Sequence, residues 1–171
     1  MLKLLFILPC FSLMFQPLNA KVESPNYHFE LASLDDFYPG KTISEIEKKF
    51  GKSETMGKEG DLVTQKFVVK HPRYHISAIV QEKSGEVQDA FFRLPSYFLH
   101  DVFFQSLVNR LGKQSTYKKV GEEAFYVWNK DSLRHVYSAA CTITCFPIFY
   151  AIEKTDNSNG ILKKLKKTTW P

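Results

Sequence analysis

The chain has 171 residues, 44% of them hydrophobic and 15% aromatic, with a formal charge of +5. That supplies apolar material for one domain, or for two half-domains sharing a core, and excludes a disordered or fibrous chain. The charge does not point to nucleic acid, because Lys3 and the tail 155–171, itself +3, carry most of it and leave +1 on 21–154.

Met1 to Lys3 is a short positive start, and Leu4 to Phe15 is an apolar run too short to span a bilayer; Leu18-Asn19-Ala20 follows. This order reads as a secretory signal peptide, residues 1–20, cleaved so that Lys21 begins the mature chain. Cys10 follows Pro9 inside the apolar run, whereas a lipidated cysteine needs a small residue before it, so no lipid anchor is expected. The expected location is periplasmic or secreted.

Residues 21–37 form a lead-in, in which Asn26 to Leu31 alternates as a short strand or extended segment. Pro39-Gly40-Lys41 breaks the chain. Thr42 or Ser44 can then cap a short helix with Ile43, Ile46, Glu47 and Phe50 at helical spacing, and Gly51 stops it. Lys52 to Asp61 reads as a polar loop. Val63–Val69, Arg73–Glu82 and Glu86–Arg93 read as antiparallel strands, joined at His71-Pro72 and Ser84-Gly85. Pro95 opens a second set: a more apolar helix over Tyr97–Leu111, then strands at Ala124–Asn129, Arg134–Cys141 and Ile148–Glu153.

The two sets align without a gap. Ile43 to Arg93 laid over Phe104 to Lys154 gives nine identities, among them Gly51 with Gly112, Lys52 with Lys113, Gly60 with Gly121 and Arg73 with Arg134. Random pairing over this length gives about three. The expected organisation is repeat 1 at 38–94, repeat 2 at 95–154 and a basic tail at 155–171. The expected fold is α+β: two tandem helix-plus-meander repeats in one twisted antiparallel sheet, with the helices on one face.

A two-residue turn at Ser84-Gly85 places Ala78 across from Phe91. One face then collects Ile76, Ala78, Val80, Val87 and Phe91 with Tyr137, Ala139, Cys141, Ile148, Tyr150 and Ile152, and is the expected core. The other collects His75, Ser77, Ile79, Gln81, Ala90 and Phe92 with Val136, Ser138, Phe149, Ala151 and Glu153, a mixture suited to an open binding surface. The candidate protein-binding residues are therefore Phe92, Phe149 and Tyr117, with His75 and His71 nearby.

Catalytic and metal motifs are sparse. His71 and His75 are four apart, but Pro72 denies them the helix that would make a metal clip, so no metal site is expected. No Gly-x-Ser-x-Gly elbow or phosphate-cradling glycine loop occurs, and Asp35-Asp36 and Glu122-Glu123 read as solvated loop carboxylates. No cofactor and no catalysis is expected; a hydrolase of unrecognised type is a rival reading. Cys141 and Cys145 would stand roughly 13 Å apart in one straight strand. A reversal at Thr142-Ile143-Thr144 would set them opposite each other, so a disulfide and two buried thiols both stay open. In the tail, Ile161-Leu162-Lys163-Lys164-Leu165-Lys166-Lys167 and Trp170 could make a weak anionic membrane contact through Lys163, Lys164, Lys166, Lys167 and Trp170.

The stretch Tyr38-Pro39-Gly40-Lys41-Thr42-Ile43-Ser44-Glu45-Ile46-Glu47-Lys48-Lys49-Phe50-Gly51-Lys52 resembles the repeat opening of the SmpA/OmlA (BamE-like) and β-lactamase-inhibitor-protein-like group. Leu111-Gly112 and Tyr126-Val127-Trp128 stand in the corresponding places of the second copy, although Met after Gly40 and Pro after each helix-ending glycine are missing. The resemblance implies an exported tandem-repeat protein that grips another protein without catalysis, as an inhibitor or adaptor of an envelope or secreted partner. The rival within the same compartment is an outer-envelope structural or assembly factor whose basic tail contacts membrane.

Overall fold

In the computed structural model, residues 23–156 and 160–162 are described. The expected signal peptide, 1–20, and the tail residues Lys163, Lys164, Lys166, Lys167 and Trp170 lie outside them. The lead-in forms two 3-10 turns, Pro25–His28 and Leu31–Phe37, where an extended segment was expected. Helix α1 (Ile43–Phe50) is followed by strands β1 (Glu54–Glu59), β2 (Leu62–His71), β3 (Tyr74–Lys83) and β4 (Glu86–Arg93). Helix α2 (His100–Leu111) is followed by β5 (Thr116–Val120), β6 (Glu123–Lys130), β7 (Leu133–Cys141) and β8 (Cys145–Lys154). The eight strands make one antiparallel sheet in the order β1-β2-β3-β4-β8-β7-β6-β5. The α+β class and single sheet match expectation; β1 and β5 occupy stretches whose polar sequences carry no strand alternation.

Thr42 starts α1 with a capping box, its hydroxyl accepting the Glu45 N–H while the Glu45 carboxylate accepts from the Thr42 backbone. Gly51 (φ 86°) and Gly112 (φ 85°) end the two helices in the left-handed region that side chains resist. Both helices bury their apolar sides against one sheet face, Ile43 and Ile46 from α1 and Phe103 and Leu107 from α2. Leu31, Leu34 and Phe37 of the lead-in fill the space beside them. The Trp128 indole N–H donates to the Gly112 carbonyl at 2.8 Å, tying the end of α2 to β6.

Val87 faces the core as expected, but beyond it the face assignment of β4 is opposite to the expected one. The Ser84-Gly85 turn is the expected two-residue hairpin, Lys83 pairing with Glu86, but Glu82 pairs with Val87 and Gln81 with Asp89, leaving Gln88 as a bulge. One extra residue reverses every later side chain of a strand. Ala78 therefore faces Phe92 rather than Phe91, and Ala90 and Phe92 join the helix-covered core. A second bulge at Ile148 lies between the Ser138–Phe149 and Ala139–Pro147 pairs.

The far sheet face is not open at its centre. Phe125, Val127, Val136, Phe149 and Ala151 form a second core, and Leu162 lies buried on it, with Phe91 and Ile148 at its margin. The Ile161 N–H donates to the Asp89 carboxylate at 2.9 Å, fixing the point where the C-terminal segment meets the sheet.

Candidate protein-binding site

The sequence-derived candidates do not converge. Phe92 is fully buried and stacks on Tyr150, ring centroids 5.8 Å apart, because the Gln88 bulge turns it inward. Phe149 does lie on the far face, but Leu162 and the stacked Phe91 ring, 4.9 Å away, bury it completely. Neither can touch a partner without unfolding its surroundings, and both are withdrawn as binding residues. His71 stacks on Tyr74 at 4.3 Å and its Nδ1 accepts the Arg73 N–H; with the exposed His75 it marks the β2–β3 hairpin. Tyr117 is exposed on β5, at the opposite end of the sheet.

Exposed apolar side chains gather elsewhere. A cleft of about 560 Å³ is lined by Tyr27 of the first 3-10 turn, Leu99 to Val102 at the start of α2, and Ile143 to Cys145 at the β7–β8 reversal. Tyr27, Leu99 and Ile143 all remain exposed, Ile143 fully so, and the exposed Tyr97 and Phe146 adjoin them in sequence. An exposed apolar concentration of this kind is the usual mark of a contact surface.

Each wall is fixed by local chemistry. Leu99 stands at the N-cap of α2 without a capping side chain; instead Asn26, buried, reaches across, its Oδ1 accepting the Leu99 N–H at 3.1 Å and its Nδ2 donating to the Leu99 carbonyl at 2.8 Å. The Ser24 hydroxyl donates to the same Oδ1 at 2.6 Å. The lead-in is thereby clamped onto α2, so Tyr27 and Leu99 face the cleft together. On the other wall, Cys141 and Cys145 pair across the reversal and are joined by a disulfide, which resolves the open alternative in favour of the bridge. The three residues between them are held as a tight tip with Ile143 outermost.

His100 closes the floor. Its Nδ1 lies 2.9 Å from the Tyr137 hydroxyl, and its ring stacks between Phe104 and Tyr137, each 5.6 Å away. Burial lowers its pKa, only partly opposed by Asp101, whose carboxylate is 4.0 Å from Nε2. Burial also raises the pKa of Tyr137 and Tyr126. At neutral pH the His100 floor is thus an uncharged imidazole, hydrogen-bonded to an uncharged phenol buried beneath it. From His100 ring contacts continue to Tyr126, 5.8 Å away, and on to Tyr117, a further 5.1 Å, so one of the sequence candidates caps this strip.

A second polar centre lies inside the core. The His135 Nδ1 is 2.7 Å from the buried Tyr150 hydroxyl, and burial, with Arg110 and Lys130 nearby, pushes its pKa down to about 4. Arg110 pairs with Asp35 at 2.7 Å and lies over the Tyr38 ring. This network joins the lead-in to α2 and the sheet beneath the surface. Among the described residues, no group of three or more His, Cys, Asp or Glu side chains is placed to share a metal ion, and no helix is long and apolar enough to cross a membrane.

No protein-family model and no curated protein matches the chain. Among solved structures it is similar to a DUF4309 family protein (YjgB) from Bacillus subtilis subsp. subtilis str. 168, at 13% identity, covering 67% of this chain and 78% of that one with a TM-score of 0.45. At that level nothing about the site is transferred from one to the other.

Proposed function

We propose that the chain is an exported, non-enzymatic protein-binding module, acting as an inhibitor or adaptor of an envelope or secreted protein, and that its partner docks at the cleft between Tyr27, Leu99 and Ile143. The observation that carries the reading is the exposure of these apolar side chains on walls that the Asn26 clamp and the Cys141–Cys145 bridge hold in place. A pre-ordered apolar surface loses little entropy on binding, which is what a binding module requires. The disulfide also suits an oxidising compartment.

Duplication of one helix-plus-meander unit belongs to the same proposal. The order of one helix and four strands, met twice along the chain, supports it, as do the nine identities at one offset. The repeat resemblance to the SmpA/OmlA and β-lactamase-inhibitor-protein-like group stands beside it as a proposal of kinship. The rival membrane-contacting tail finds less support, since Ile161 and Leu162, two of its apolar residues, are buried against the sheet.

The test is comparative affinity capture from envelope and culture-medium extracts, using chain 21–171 beside a Leu99→Asp, Ile143→Asp variant with an unchanged far-UV spectrum. A protein retained by the first and lost by the second is the expected result. Identical captures by both would remove the cleft from consideration.

A further inference from the structure

The sheet has two edges, and they are not alike. On β1 the ladder to β2 is interrupted by a bulge at Met56, and Glu54 is engaged by Lys66 at 3.0 Å. Bulges of this kind spoil an edge as a template for another strand. On β5 all five residues pair with β6 in unbroken register, and all five are exposed. β5 is the regular, uncovered edge of this sheet.

Its charge is one-sided. Residues 112–120 contain Lys113, Lys118 and Lys119 and no acidic residue, and none of these lysines joins an ion pair among the described residues. A second copy of the chain pairing here antiparallel would set lysines against lysines, which is unfavourable. Tyr117 shares its face with Tyr126, at the end of the aromatic strip that leads to the cleft. A strand laid against β5 would place alternate side chains beside Tyr117 on one face and beside Lys118 on the other.

We propose that β5 is a docking edge for an extended acidic segment of a partner protein, which adds to the sheet as a further strand with a carboxylate beside Lys118 on one face and an apolar residue against Tyr117 on the other. The main chain supplies affinity and Lys118 chooses the partner. This rests on the protein-binding reading and adds the partner's chemistry to it.

The experiment uses three fluorescein-labelled synthetic peptides of about nine residues. One alternates Glu and Val, one alternates Lys and Val, and the third is the Glu–Val peptide with alternate backbone nitrogens methylated, which removes the amide donors along one edge. Anisotropy reports binding to chain 21–171, and hydrogen exchange locates it. The Glu–Val peptide is expected to bind and to protect 116–120, the methylated and Lys–Val peptides to bind at least tenfold more weakly, and Lys118→Glu to reverse the charge preference. The proposal is overturned if the methylated peptide binds equally, if protection falls on 99–102 and 142–144 instead, or if no peptide binds at millimolar concentration. Partner capture through Leu99 and Ile143 is read in a separate experiment, so the two readings fail separately.

Discussion

His135 shows how a single side chain sets the response to acid. Its folded pKa of about 4 lies below the ordinary 6.5, so below pH 6.5 the unfolded chain takes up a proton that the folded one refuses. The stability is fully present above pH 6.5 and is lost as pH falls towards 4, at about 1.4 kcal/mol per pH unit and about 3 kcal/mol in all. His135→Gln, which can still meet the Tyr150 hydroxyl, should flatten urea-derived stability between pH 6.5 and 5 by about one proton's slope. His100, shifted the same way, keeps a residual slope. The aromatic residues separate by burial rather than by type: Phe92→Ala should cost about 3–5 kcal/mol, whereas Tyr117→Ala should change stability by less than about 0.5 kcal/mol. Chemical denaturation of the two variants gives that contrast directly. Asn26→Ala leaves the Leu99 N–H unsatisfied and its carbonyl with the Phe103 N–H alone, and should cost about 1–3 kcal/mol, with faster amide exchange at Leu99 than at Leu107.

At the scale of elements, the β7–β8 reversal is held by its strand ladder as well as by the disulfide. Reduction should therefore cost no more than about 2 kcal/mol, the loop-entropy value for so short a ring, while exchange at 142–144 rises and the sheet survives. Helix α1 was legible because Thr42, Ile43, Ile46, Phe50 and Gly51 spell its cap, buried side and end within ten residues. The six longer strands were legible for a similar local reason, their apolar alternation. β1 and β5 were not, because an exposed edge strand buries neither face and so has no alternation to show. The bulges at Gln88 and Ile148 leave no compositional trace, and the first of them inverted the reading of Phe92. The cleft escaped because its walls come from 27, 99–102 and 143–145, brought together only by tertiary packing; the signal available was the apolar Ile143 between two cysteines and the exposed Tyr97 and Leu99 before α2.

For the molecule as a whole, the far face is completed by the C-terminal segment. A chain ending at Asp156 loses Ile161 and Leu162, both buried, and should lose about 3–6 kcal/mol of stability. It should also gain dye-binding apolar surface around Phe149 and Val136. The halves of the sheet meet only where β4 lies beside β8, along five residue pairs from Asp89–Glu153 to Arg93–Phe149. Every other strand pairing joins sequence neighbours, which form within microseconds as hairpins. The partners along this seam stand 56 to 64 residues apart, so its closure carries the loop entropy that the hairpins avoid. The seam should therefore set the speed of folding. A peptide-bond break between Arg93 and Leu99, outside every strand and helix, would turn that step into the meeting of two separate chains, with a rate that grows with their concentration.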